Sequence, residues 1–165
     1  MKRFDDSTES FRFPRESKKK KKKTRKEHKS RKVSDCLQVM QNGSDMIKLR
    51  ANIRQFRRHF SLDADLSHIR WTPTNKKPHK ARISIDSIRE IRVGRNTDVL
   101  RATENCISDM QEECAFSIIY KECDYECLDL IAATADDANI WVTGLMALTS
   151  GHKSEFYNIK SAALA

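Results

Sequence analysis

The chain has 165 residues, enough for one domain with tails and too few for a second core. Its formal net charge is +9, and it contains no run of about 18 apolar residues that could cross a bilayer and no apolar stretch behind its polar, basic start, so neither a membrane span nor a secretory leader is expected. The five cysteines, Cys36, Cys106, Cys114, Cys123 and Cys127, are an odd set without a CxxC pair, and they read as reduced thiols in small apolar roles, not as disulfides or zinc ligands.

Charge is distributed unevenly along the chain. Residues 1–32 carry 15 basic and 5 acidic side chains, residues 33–95 carry 13 and 6, and residues 96–165 carry 4 and 12. A folded part polarised in this way would turn a positive end toward an anionic surface and an acidic end away from it, provided the halves separate in space. A wholly basic nucleic-acid domain would have no use for the acidic half, and nucleic acid is therefore the disfavoured partner.

The first element, residues 1–33, holds the run Lys18 to Lys23 and few apolar residues, and is expected to be a disordered polybasic tail. Three readings of it stand side by side: an electrostatic membrane signal, a nuclear localisation signal, and a solvated tail. From Ser34 the texture changes, because Leu37 and Met40 recur at helical spacing before Asn42-Gly43, which predicts a short leading helix.

About seven strands follow by period-2 alternation: Ile47 and Leu49, Phe60 and Leu62, Ile69 and Trp71, Ile83 and Ile85, Ile91 and Val93, Ala115 to Tyr120, and Leu128 to Ile131. Turn chemistry separates them at Asp63-Ala64-Asp65, Pro73 to Pro78, Gly94-Arg95-Asn96 and Cys123-Asp124. The last element is an amphipathic helix with Ala138, Trp141, Val142, Leu145 and Leu148 or Thr149 on one face, Thr134 as N-cap, acids Asp136 and Asp137 in the first turn, and Gly151 as the stop. The predicted class is mainly β, a seven-stranded barrel or sandwich plugged by a C-terminal helix.

The segments "MIKLRANIRQFRRHFSLDADLSHIRW", "KARISIDSIREIRVGRNTD", "CAFSIIY" and "CLDLIAATADDANIWVTGL", in that order, resemble the pleckstrin homology (PH) domain of phosphoinositide-specific phospholipases C, most of all that of the catalytically inactive phospholipase C-like proteins. The resemblance runs from about Asp35 to Gly151, which divides the chain into a tail (1–33), a PH domain (34–151) and a short C-terminal tail (152–165). It implies a site for phosphorylated inositol headgroups at the open barrel end. Carried over position by position, Lys48 and Arg50 match two basic residues of the first strand, Arg58 an arginine of the second and Lys76 a basic residue after the third. Arg54 stands where the family has a tryptophan in the first hairpin loop, Gln55 where it has an arginine, and Cys127 where it has a headgroup-contacting threonine. The resemblance also implies that the lipase's catalytic region is absent and that the chain is a truncated phospholipase C-like protein. A phosphatase-docking motif of the inactive branch has no full match at Lys32-Val33-Ser34-Asp35, which lacks the phenylalanine.

The residues support the site on their own chemistry. Lys48 and Arg50 are two apart on a strand and leave one face while Ile47 and Leu49 pack the other. Arg58 shares the parity of Phe60 and Leu62 and is expected to point inward at the barrel mouth, where a bisphosphate would satisfy it. Arg54, Arg57, Lys77 and Cys127 are weaker candidates, Lys80 ranks with Lys77, and the bland alternative is a set of solvated charges on an edge hairpin. Trp71 and Trp141 read as core residues. The histidines His28, His59, His68, His79 and His152 are scattered, with no nucleophile or acid arranged about them, and no Gly-rich phosphate loop or metal-ligand spacing occurs. The expected function is thus a non-enzymatic module without cofactor or metal that binds phosphatidylinositol 4,5-bisphosphate or inositol trisphosphate. It would sit in the cytoplasm and peripherally on the anionic inner face of the plasma membrane. The alternative is a protein-interaction scaffold with weak or no headgroup binding.

Overall fold

The computed structural model describes residues 31–103 and 112–150. The expectations for the polybasic run, Cys106, His28, His152, the Gly151 stop and the C-terminal tail lie outside the described residues. Arg31 and Lys32 are described, and Arg31 Nη2 pairs with Asp136 Oδ2 at 2.5 Å. Helix α1, Val33–Asn42, therefore begins one residue inside the segment expected to be tail.

Helix α1 buries Cys36, Leu37 and Met40, the stripe that the helical spacing demands. It ends at Gly43, whose φ of 91° lies in the region that glycine enters without a Cβ clash, and a Cβ there would also meet the His59 ring. Seven strands follow: β1 (Ser44–Arg50), β2 (Arg54–Leu62), β3 (His68–Thr72), β4 (Arg82–Ser84), β5 (Ile88–Val93), β6 (Ala115–Lys121) and β7 (Tyr125–Ala132). They form one sheet in the order β4-β3-β2-β1-β7-β6-β5, and all six pairings are antiparallel. The turns between β2 and β3, β3 and β4, and β6 and β7 fall where the Asp, Pro and Cys-Asp signals stand.

The main core lies inside the curled sheet and includes Phe60, Trp71, Ile83, Phe116, Leu130, Trp141 and Leu145. Helix α3, Ala135–Thr149, covers it, capped as expected by the Thr134 side chain, which accepts from the Asp137 N–H at 3.1 Å. Trp141 is fully buried and its Nε1 donates to Ser44 Oγ at 3.1 Å, which ties the helix to the start of β1. The buried surface of α3 is wider than the single stripe read from the sequence: Ile140 and Gly144 are buried too. The reason is α1, which packs on its second side. A Cβ on Gly144 would stand 2.2 Å from Met40 Sδ, so glycine sets the approach of the two helices.

Two features of the core differ from expectation. On β1 it is Met46, on the same face as Lys48 and Arg50, that enters the main core. Leu49, with Ile47 against it, packs on the outer face of the sheet in a second cluster with Leu100, Cys114, Ala115 and Ile131. That cluster exists because of a short helix, α2 (Asp98–Ala102), capped by the Thr97 side chain, which lays fully buried Leu100 over β1 and β7. Five residues are too few to show a helical period, which is why only the preceding turn was legible.

Candidate functional site

The cationic site grows out of the pairing of β1 with β2. Met46 stands opposite Arg58, Lys48 opposite Phe56 and Arg50 opposite Arg54. On β1 the inward face therefore changes from the apolar Met46 to Lys48 and then Arg50 as the strand reaches the open end. On β2 the same face runs from buried Phe60 to half-buried Arg58 and Phe56. Arg58 lies 5.1 Å from the Phe56 ring centroid and one of its guanidinium N–H groups donates to the Arg57 carbonyl at 2.8 Å, which holds its remaining donors at the mouth. Between β1 and β2 the chain turns through a 3-10 turn, Ala51–Ile53, with Asn52 at φ 63°. Arg54, which the resemblance sets in the first hairpin loop, follows this turn directly as the first residue of β2.

Trp71 supplies the floor. It is 5% exposed and packs against Phe60 with centroids 5.8 Å apart, as a core residue should. The same ring carries the Lys48 ammonium 4.3 Å above its centroid. Lys76 is held at the rim by the β3–β4 loop, where its backbone N–H donates to Thr74 Oγ1 at 3.1 Å. Lys48, Arg50, Arg58 and Lys76 meet with Phe56, Trp71, Thr74 and Asn75 in a recess of about 180 Å³.

Lys48, Arg50, Trp71 and Lys76 also border a larger adjoining cleft of about 800 Å³. Arg54, His79, Lys80 and Arg82 extend its basic side, and Tyr120, Glu122, Glu126, Cys127 and Asp129 line the other. Of the weaker candidates, Arg54 and Cys127 reach this cleft, whereas Arg57 and Lys77 line neither space. Arg57 has the opposite strand parity to Arg58 and is exposed. Sequence reasoning missed His79, Arg82 and the acidic wall. Nothing local in the sequence marks the acidic wall, since the pairing of β1 with β7 brings the β6–β7 hairpin to this end, whereas His79 and Arg82 reach the cleft from the β3–β4 connection and from β4, paired with β3.

That hairpin corrects the expected charge separation. Glu122 and Glu126, both from the acidic part of the chain, stand on the same mouth as the basic residues instead of at a remote end. Tyr120 Oη donates to Glu126 Oε2 at 2.5 Å and fixes the carboxylate's direction. Burial, and then Glu126 itself, push the Tyr120 phenol above its ordinary range.

The electrostatics follow from this crowding. Lys48 is half-buried, and its pKa falls to about 8, first through burial and then through Arg50, Lys76 and Arg58, with Glu126 opposing. Asp129 is 4% exposed, and its Oδ1 accepts from Thr97 Oγ1 at 2.6 Å, Ser117 Oγ at 2.7 Å and Cys127 Sγ at 3.3 Å. Although Cys127 is exposed as a residue, its thiol is turned onto that carboxylate. Desolvation and Asp129 push it up to about 12, so it is no nucleophile at neutral pH.

A family model described as the pleckstrin homology domain matches residues 32–150. The chain belongs to the pleckstrin homology family. Within it, the relatives are of the phospholipase C type. Human inactive phospholipase C-like protein 2 is 49% identical over 137 residues, 82% of this chain and 12% of that protein. Human inactive phospholipase C-like protein 1 is 46% identical over 128 residues, 77% of this chain and 11% of the relative. Mouse 1-phosphatidylinositol 4,5-bisphosphate phosphodiesterase eta-2 is 38% identical over 74% of this chain and 8% of its own length. The chain thus spans about an eighth or less of these proteins. The crystal structure of S. officinalis PLC21 shares the fold with a TM-score of 0.54 at 14% identity, over 68% of this chain and 16% of that one. The pleckstrin homology assignment confirms the fold class read from strand spacing and the capping helix, and the resemblance to the phospholipase C-like branch.

Proposed function

We propose that this pleckstrin homology domain is a non-enzymatic module that binds the phosphorylated inositol headgroup of phosphatidylinositol 4,5-bisphosphate, or soluble inositol trisphosphate, in the recess between β1, β2 and the β3–β4 loop. The observation that carries the reading is convergence: Lys48, Arg50, Arg58 and Lys76 come from three separate stretches of sequence and border one recess of about 180 Å³ over the Trp71 ring. A bisphosphate would supply the anions these side chains lack among the described residues, with Arg58 as a directional donor and Lys48 and Lys76 as compact charges. The polybasic segment 18–32 would add attraction to anionic lipid of about 1 kcal/mol per charge near the surface, without stereochemistry. Together they would hold the chain peripherally on the cytoplasmic face of the plasma membrane.

The test is calorimetric titration of the full chain with inositol trisphosphate, with thermal melts to verify folding. Arg58→Gln is expected to lose more than about tenfold in affinity, because a charge-assisted hydrogen bond in a desolvated setting contributes about 1.5–3 kcal/mol. Lys77→Gln, outside the recess, is expected to change affinity only slightly. Equal and small losses would favour the second reading, a protein-docking domain. That reading draws on Glu122 and Glu126, which place negative charge on the opposite wall and would suit a partner carrying both signs.

A further inference from the structure

Lys48 is set apart from the other described lysines by its surroundings. Lys32, Lys76, Lys77, Lys80 and Lys121 are exposed, and Lys48 alone is half-buried. It forms no salt bridge among the described residues. Its ammonium lies over an aromatic face with Arg50, Arg58 and Lys76 as electrostatic neighbours. An amine desolvated beside other cations is the recipe for a nucleophilic lysine. With a pKa of about 8, roughly a fifth of it is neutral at pH 7.4, against about 0.1% for an ordinary lysine. Arg50, Lys76 and Arg58, which add to that lowering, are hydrogen-bond donors suited to phosphate, so groups that can hold a phosphate and a reactive amine line one small recess.

Resting on the reading of this recess as an anion site, we propose that Lys48 traps small phosphorylated aldehydes: the phosphate docks on Arg50, Arg58 and Lys76, and Lys48 Nζ condenses with the carbonyl carbon to an imine that occupies the headgroup site. The ammonium first releases a proton. The neutral amine adds to the carbonyl carbon, whose oxygen takes up a proton to give a carbinolamine, and loss of that oxygen as water leaves the C=N bond. Amine and aldehyde give imine and water, with no change of oxidation state. The reaction is reversible, so headgroup binding would become sensitive to phosphorylated carbonyl compounds.

The test incubates the full chain with micromolar pyridoxal 5′-phosphate, reduces any imine with borohydride and maps the labelled peptides by mass spectrometry. Lys48 is expected to be labelled at least about tenfold above Lys77 and Lys80, given its larger neutral fraction. Pyridoxal without the phosphate is expected to label it far less, and Arg58→Gln to reduce labelling. Pyridoxal 5′-phosphate is expected to inhibit inositol trisphosphate binding to the unsubstituted chain, and Lys48→Arg, checked by thermal melt, keeps the charge and must lose the label. Labelling spread evenly over the lysines, or equal labelling by pyridoxal, overturns the proposal. If inositol trisphosphate binds by calorimetry yet Lys48 stays unlabelled, the trap fails and the headgroup reading stands. If Lys48 is labelled in a phosphate-dependent way while inositol trisphosphate neither binds nor protects, the trap stands and the headgroup reading fails.

Discussion

Asp129 and Lys48 lie on neighbouring strands, with Asp129 of β7 opposite Leu49 of β1, and both line the same cleft. Asp129 is the more deeply buried, yet its Oδ1 accepts from three donors, Thr97 at the cap of α2, Ser117 of β6 and Cys127 of its own strand. Lys48 has an aromatic face beneath it and like charges around it, and no carboxylate within ion-pair distance among the described residues. One charge is completed from inside the fold and serves its architecture. The other is left incomplete, which is how a binding site differs physically from a structural polar cluster.

The largest effects should come from breaking the completed side. Asp129→Ala strips Thr97 and Ser117 of their shared acceptor in a buried setting and is expected to destabilise the domain by about 2–3 kcal/mol, read by urea denaturation. Inositol trisphosphate affinity per folded molecule should change little. Lys48→Met inverts the pattern. Removing a half-buried ammonium from like charges is expected to leave stability unchanged or raise it by about 1 kcal/mol, allowing for its solvent-open side, while headgroup affinity falls about tenfold or more. A variant that lost both stability and affinity would place Lys48 with Asp129 among the structural groups.

Titration sharpens the same contrast. Burial first, and then Arg50 from β1, Lys76 from the β3–β4 loop and Arg58 from β2, lower the Lys48 pKa to about 8 from an ordinary 10.5, with Glu126 from β7 opposing them. A bound phosphate would raise it again, so binding takes up a proton once the free site has lost one. Inositol trisphosphate affinity is therefore expected to weaken as pH rises above about 8, an effect that Lys48→Met should abolish. The unliganded fold follows the opposite sign. Between about 8 and 10.5 the unfolded chain binds more protons than the folded one, so the Lys48 contribution to stability rises with pH across that window.

Local signals made much of this readable in the sequence. The parity of Lys48, Arg50 and Arg58 needs only the two-residue strand period, and the residues that carry the fold, from the Thr134 cap to the Trp141 face, announce themselves by spacing. The remainder depends on long-range pairing. The contrast between Met46, which enters the barrel, and Leu49, which packs outside it, appears only when α2 is seen to cover the outer face. Gly144 carries no helical signal of its own, and its role comes from Met40 about a hundred residues earlier. Charge order along the chain does not reveal the acidic wall, because antiparallel β1–β7 pairing folds the acidic hairpin back onto the basic end.

The smallest effect concerns that wall. Glu126 is exposed, but Tyr120 holds its carboxylate at 2.5 Å and it is the acid that opposes the cations around Lys48. For an anionic ligand it is a repulsive charge on the far side of the mouth, screened by solvent. Glu126→Gln is expected to raise inositol trisphosphate affinity roughly two- to threefold, the size typical of one exposed charge, and the gain should shrink as ionic strength rises. Tyr120→Phe, which releases the carboxylate without removing its charge, should gain less than Glu126→Gln, because a freed glutamate can turn toward water and still carries its field. A gain that persisted at high salt would mean that Glu126 touches the bound headgroup directly. The incomplete region of the cleft would then extend from β1 and β2 across to β7.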